Sequence, residues 1–154
     1  MRNNEKEIPR HQPPKGSKTQ NQELLYDPNV LTPSHAEQAQ TLVSKMATAT
    51  LCTMSIEPAG YPYGSFVTYA IYEGNPIFLI SGLAEHTKNL DKDSKASLLI
   101  AEAGEGNPLA LGRVTLMGDC KRLPEEHREN VRDIFLSKNP DSKFYIDFKD
   151  FYFY

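Results

Sequence analysis

ATLCTMSIEPAGYPYGSFVTYAIYEGNPIFLIS, residues 49–81, carries three β-rich runs separated by two turn signals. In the first, Ala49–Ile56, Thr, Leu, Cys and Ile favour extended backbone. Pro58-Ala59-Gly60 then supplies a turn. From Tyr63 to Tyr72 the side chains alternate: Ser65, Val67, Tyr69 and Ile71 share one face, and Phe66, Thr68, Ala70 and Tyr72 the other. These two runs predict a hairpin. Glu73-Gly74-Asn75-Pro76 is a second tight turn, and Ile77–Ser81 is a short apolar strand of the buried kind.

Upstream, Ser34-x-x-Glu37 is a capping box, and Ala39, Leu42, Val43 and Met46 follow at helical spacing, so a helix is expected over 35–47. Downstream, a short helix is expected over about 84–90, a strand over 95–102, a breaker-rich loop at 104–108 and a long strand over 109–121. Pro124 opens a further helix with Val131, Ile134 and Phe135 toward the core; Glu125 and Glu126 suit its N-terminal dipole, and Asn139-Pro140-Asp141 ends it. The tail from Phe144 to Tyr154 (FYIDFKDFYFY) holds seven of the chain's aromatic residues. Phe151–Tyr154 reads as a final strand that must be covered, either by the chain's own helix or by a second subunit, and the second subunit is the expected cover. Strands in succession with helices at the edges predict a mainly β, mostly antiparallel barrel rather than a doubly wound parallel sheet.

The chain's 154 residues, 39% hydrophobic and 24% charged, fit one domain. Residues 1–30 contain only Met1, Ile8, Leu24, Leu25, Tyr26 and Val30 as hydrophobics, so they are expected to form a flexible arm with Leu24-Leu25-Tyr26 as its one docking piece. The folded domain is expected over 31–154. A net charge of −3 and a pI near 5.8 argue against a nucleic-acid binder. No apolar run approaches the ~20 residues of a membrane span, and the N-terminus lacks a signal-peptide core, so no membrane association and a cytoplasmic location are expected. Cys52 and Cys120 allow at most one bridge.

The segment richest in chemistry is Ser81-Gly82-Leu83-Ala84-Glu85-His86-Thr87-Lys88-Asn89-Leu90, where a strand runs into a helix start. Free N–H groups there attract anions, and Thr87, Lys88 and Asn89 add donors. The plainer reading is that Ser81 caps the helix and Lys88 is solvated. Arg113, inside the long strand, either points outward or binds an anion, since an unpaired charge on a buried face is costly. Tyr69 and Tyr72 lie on opposite faces and are expected to pack in the core. His11, His35, His86 and His127 show no metal-ligand spacing with each other or with a cysteine, so no metal site is expected. His86 is the one site histidine; the other three read as surface residues. Cys52 reads as a small buried hydrophobe. GxGxxG and GxxxxGK[ST] are both absent, which removes the Rossmann and P-loop readings.

SHAEQAQTLVSKMATATLCTMS, GYPYGSFVTYAI, ISGLAEHTKNL and LGRVTLMGDCKRL, in this order, resemble the FMN-binding split-barrel superfamily related to pyridoxamine 5′-phosphate oxidase, and within it the HugZ-type haem oxygenase branch. S-x-L-A-x-H-T-x-N-L is the most specific match. The resemblance implies a six-stranded split barrel that dimerises, with haem or FMN at the subunit interface. Carried onto this chain, Ser81, Thr87, Lys88 and Asn89 would contact a phosphate or propionate, Arg113 would be a second anion contact, and His86 matches the motif with its role as ligand open. Relatives in the haem-degrading branch take an axial histidine from a C-terminal segment, whereas no histidine follows His127 here. The resemblance therefore implies a haem-degrading oxidoreductase with that route to the iron closed, an FMN-dependent oxidoreductase, or a non-catalytic regulatory binding protein of tetrapyrrole metabolism. The substrate-binding basic residues of pyridoxamine phosphate oxidation are not recognisable.

Overall fold

The computed structural model describes residues 33–105 and 107–154. The expected flexible arm, its docking piece Leu24–Tyr26 and His11 lie outside them. Eleven elements follow: α1 (His35–Lys45), β1 (Thr48–Met54), β2 (Pro62–Thr68), β3 (Ala70–Tyr72), β4 (Asn75–Ile77), β5 (Leu79–Ser81), α2 (Glu85–Lys92), β6 (Lys95–Ala101), β7 (Arg113–Asp119), α3 (Arg128–Lys138) and β8 (Phe151–Phe153). Every ladder is antiparallel: β2-β1-β6-β7 form one sheet, β3 pairs with β4, and β5 pairs with β8. With β2/β3 and β4/β5 each taken as one bent stave, six staves form a mainly β split barrel with flanking helices, and the barrel is not closed, since no ladder joins β7 to β8.

The predicted Tyr63–Tyr72 strand breaks at Tyr69. Its side chain is fully buried, its phenol donates to the Val43 carbonyl at 2.7 Å and its N–H to that of Ala47, so α1 draws the chain out of the first sheet at this residue. The Ile77–Ser81 run breaks likewise at Phe78, which exchanges both backbone hydrogen bonds with Tyr154. Between the bent staves, Glu73 (φ 49°) and Gly74 (φ 80°) form the two-residue turn that suits the right-handed strand twist. The strand expected from Leu109 begins only at Arg113, because Pro108–Ala110 is a 3-10 turn capped by the Asn107 side chain.

Two clusters make up the core. Leu51, Tyr69, Phe78, Ile80, Leu98 and Ile100 fill the barrel, and Ile77, Leu79, Val131, Phe135, Ile146 and Phe153 join α3 to the β4/β5 stave and β8. The Ser34–Glu37 capping box is present on α1. The helix expected from Pro124 starts as a 3-10 turn, Glu125–His127, and becomes α-helical at Arg128. Val131 and Phe135, four residues apart, turn to the core; Ile134 does not, and stays partly exposed. The terminal aromatic strand is covered by the chain itself, contrary to the expectation of a second subunit. Phe153 lies edge-on to Phe135 at 5.6 Å, and Tyr154 donates to Asp91 at 2.6 Å. Each large apolar side chain so buried contributes about 1.5–3 kcal/mol.

Candidate functional site

At the β5–α2 junction the donors of the expected anion site face inward. The Ser81 hydroxyl donates to Asp150 at 2.8 Å and accepts from the Leu83 N–H, while the Gly82 N–H donates to the Asp150 carbonyl at 2.7 Å. Ser81 is thus not the helix cap; the capping position is Ala84, which has no side-chain cap to offer. Thr87 donates its hydroxyl to the Ser81 carbonyl at 2.6 Å. Asn89 donates to the Thr53 hydroxyl at 3.0 Å and accepts from the Ile56 N–H at 3.1 Å, which ties α2 to the end of β1. Thr87 and Asn89 are both buried.

His86 lies between these inward groups and the surface. Its Nδ1 sits 3.1 Å from the Ser65 hydroxyl, and its Nε2 is shut off from solvent with no partner. Burial holds its pKa below the ordinary histidine value, so the ring is neutral near pH 7. Lys88 is half-exposed and pairs with Glu85 at 2.6 Å, an acid that sits in the first turn where an anion would have to approach.

Arg113 stands apart from this group. It lies opposite Ala101, whereas α2 packs near Thr53, level with Ala96, about five residues and thus ~17 Å along the sheet. The side chain of Arg113 points outward and is exposed, and Nη1 donates to the Leu109 carbonyl at 3.1 Å. The fold therefore unites Ser81, His86, Thr87, Lys88 and Asn89 at one end of the sheet and leaves Arg113 at the other.

The outer face of β2-β1-β6-β7 is the feature that sequence reasoning missed. Alternation sends Ala49, Leu51 and Thr53 into the barrel, and Thr50, Cys52 and Met54 out. The paired strands set Phe66, Leu99 and Thr115 in the row of Thr50, and Ser97 and Met117 in the row of Cys52. Phe66 is 78% exposed and Met117 85%. Between Met54, Pro62, Ser97 and Met117 lies a shallow groove of about 570 Å³, with Lys95 and Asp119 at its end. Isolated exposed apolar residues are ordinary, but a contiguous apolar shelf marks a binding surface. The available signal was the parity of Phe66 within SFVT and of Met117 within RVTLM. Cys52 belongs to this shelf and is only half-buried; both cysteines are free thiols, and burial pushes that of Cys120 up to about 11.

Among the described residues no three His, Cys, Asp or Glu side chains are placed to hold a metal ion, and no helix is long and apolar enough to cross a membrane. The chain is 39% identical over 121 residues to the non-canonical haem oxygenase HOZ, chloroplastic, of Arabidopsis thaliana, a match that takes in 78% of this chain and 37% of that protein. The structure of a haem-binding protein from Mycobacterium smegmatis superposes with a TM-score of 0.73 at 38% identity, over 80% of this chain and 51% of that one. A protein of unknown function from Agrobacterium tumefaciens superposes equally well, TM-score 0.73 at 29% identity, over 84% and 56%. The chain thus spans about half the length, or less, of these relatives. Residues 31–154 match the family model described as CREG, beta-barrel, and the chain belongs to this CREG β-barrel family, a split-barrel family of the kind its strand order resembles.

Proposed function

We propose that this chain binds haem as a homodimer, with the tetrapyrrole held against the apolar outer face of β2-β1-β6-β7. The observation that carries the reading is the exposed shelf of Phe66, Met54, Leu99 and Met117, with Lys95 and Arg113 near opposite ends. A flat macrocycle needs an apolar surface together with cations for its propionates, and the shelf offers both. The names of the Mycobacterium and Arabidopsis relatives support haem as the ligand.

The side chains on the shelf able to meet iron are the thioethers of Met54 and Met117 and the thiol of Cys52. His86 is not among them, because its free Nε2 is enclosed between α2 and β2. A head-to-tail pairing of two shelves brings Arg113 of one copy toward α2 of the other, which reunites the residues that a single copy keeps apart. In this arrangement Lys88 and Arg113 contact propionates, and Ser81, Thr87 and Asn89 hold α2 and so position Lys88. When bound, haem would supply the oxygen chemistry of a haem-degrading oxidoreductase; the chain's part is to orient the macrocycle and keep water off the shelf. FMN fits the β5–α2 junction less well, since Glu85 opposes a phosphate there and Thr87 and Asn89 are engaged elsewhere.

Haemin and FMN are titrated separately into the untagged protein while its absorption spectrum and mass in solution are followed. The expected result is a saturable Soret shift at one haem per subunit of a dimer. Saturable FMN binding in its place would replace haem with the flavin enzyme, and binding of neither would leave a regulatory protein; both overturn the proposal.

A further inference from the structure

We infer that the thioether of Met117 binds the haem iron, an assignment that rests on the proposed place of haem on the outer sheet face and selects among the three sulfurs there. Strand register fixes where those sulfurs stand. Gly64, Cys52, Ser97 and Met117 form one row across the four strands. Pro62, Met54, Lys95 and Asp119 form the next, in which each residue is the first or last of its strand. Cys52, Met54, Ser97 and Met117 all line the shallow groove between these rows.

Iron sits at the centre of the macrocycle and the propionates at its rim, so its ligand must combine free reach with distance from the cations. Cys52 lacks the reach. It is half-buried, its sulfur is one bond from Cβ, and the larger Phe66, Leu99 and Met54 stand around it, so a flat ring resting on them stops short of the thiol. Met54 lacks the distance. With the β1–β6 register carried two residues on, it stands beside Lys95, one strand spacing of ~4.8 Å away. Met117 meets both conditions. Its neighbours on the face are Ser97 across the ladder and Thr115 and Asp119 along β7, all shorter side chains, and among the described residues no large hydrophobic is more exposed. Lys95 lies one strand over and two residues along, ~8 Å, while Arg113 lies four residues along β7 in the other direction, ~13 Å. The cations therefore flank Met117 without crowding it. The neighbouring Asp119 carboxylate is engaged by the Ser94 hydroxyl, which donates to it at 2.8 Å. Three side-chain torsions let an unpacked methionine bring its soft sulfur over Ser97.

The test titrates haemin into the full chain and into Met117→Leu, Met54→Leu and Cys52→Ser, and follows affinity, X-ray absorption at the iron edge and the reduction potential of the bound haem. In the native complex a sulfur is expected in the first coordination shell of the iron. Leucine keeps the apolar volume of methionine, so Met117→Leu should still bind haem, at most about tenfold more weakly. Its iron should have lost the sulfur, and its potential should drop, since a thioether ligand raises it. Met54→Leu and Cys52→Ser should keep both the sulfur and the potential. A native haem complex with no sulfur on the iron, a sulfur that survives Met117→Leu, or one lost in either of the other variants would each overturn the inference while leaving haem on the sheet face. Absence of saturable haem binding to the native chain would overturn the inference and the proposed function together.

Discussion

The β5–α2 junction and the outer face of β2-β1-β6-β7 differ in how much of their chemistry is left unused. The junction gathers a serine, a threonine, an asparagine, a histidine and a lysine within nine residues, yet most of their donors are satisfied inside the fold. The sheet face draws its residues from four separate strands and leaves large apolar side chains open to solvent. A dense polar motif can therefore serve as a lock, while the binding surface is built from residues no motif connects. The contrast predicts that changes at the face alter binding and leave the fold intact, and that changes at the inward-facing Asn89 and Gly82 act first on the fold.

The largest effect is expected at the face. Replacing Phe66 and Met117 together by glutamate removes two apolar contacts, each worth about 1.5–3 kcal/mol when buried, so haem affinity should fall about a hundredfold or more. Unfolding free energy, measured by urea titration, should move by no more than about 1 kcal/mol. Next comes Asn89→Ala, which leaves the Ile56 N–H and the Thr53 hydroxyl without their partner. A loss of about 2–4 kcal/mol in the same titration is expected. Gly82→Ala tests the packing of β8 on the junction. The added Cβ would lie 3.0 Å from the Tyr152 ring and 3.5 Å from the Asp150 carbonyl, at a cost of about 1–3 kcal/mol.

Those three changes show why the two regions differed in legibility. Each strand was visible as a run of alternating or apolar residues, and the helix from His35 was visible in its capping box. The breaks at Tyr69 and Phe78 were not, because no glycine or proline marks them; they come from bonds to α1 and to Tyr154, partners remote in sequence. For the same reason Ser81, Thr87 and Asn89 looked like free donors: their acceptors, Asp150, the Ser81 carbonyl and Thr53, are assembled only in the fold. The cover over Phe153 was hidden too, since α3 reaches it across the second core cluster. The shelf was encoded in the parity of Phe66 and Met117, but it appears only when four strands are placed side by side.

Smaller effects sharpen the comparison. Burial depresses the pKa of His86 in the folded state, so as pH falls the unfolded chain takes up its proton first. Its contribution to stability is therefore complete above about 6.5, the ordinary histidine value, and declines as pH drops below it. His86→Gln should flatten that decline in urea titrations repeated across the range. Lys88→Ala breaks only a half-exposed ion pair with Glu85 and should change stability by no more than about 0.5 kcal/mol.

The central claim is that haem lies on the outer sheet face and not in the β5–α2 junction. Its most direct test is a haemin titration of the native chain beside the folded Phe66→Glu, Met117→Glu variant. A saturable Soret shift is expected for the native protein and its loss in the double variant. An equal shift, at equal affinity, in both would contradict the claim.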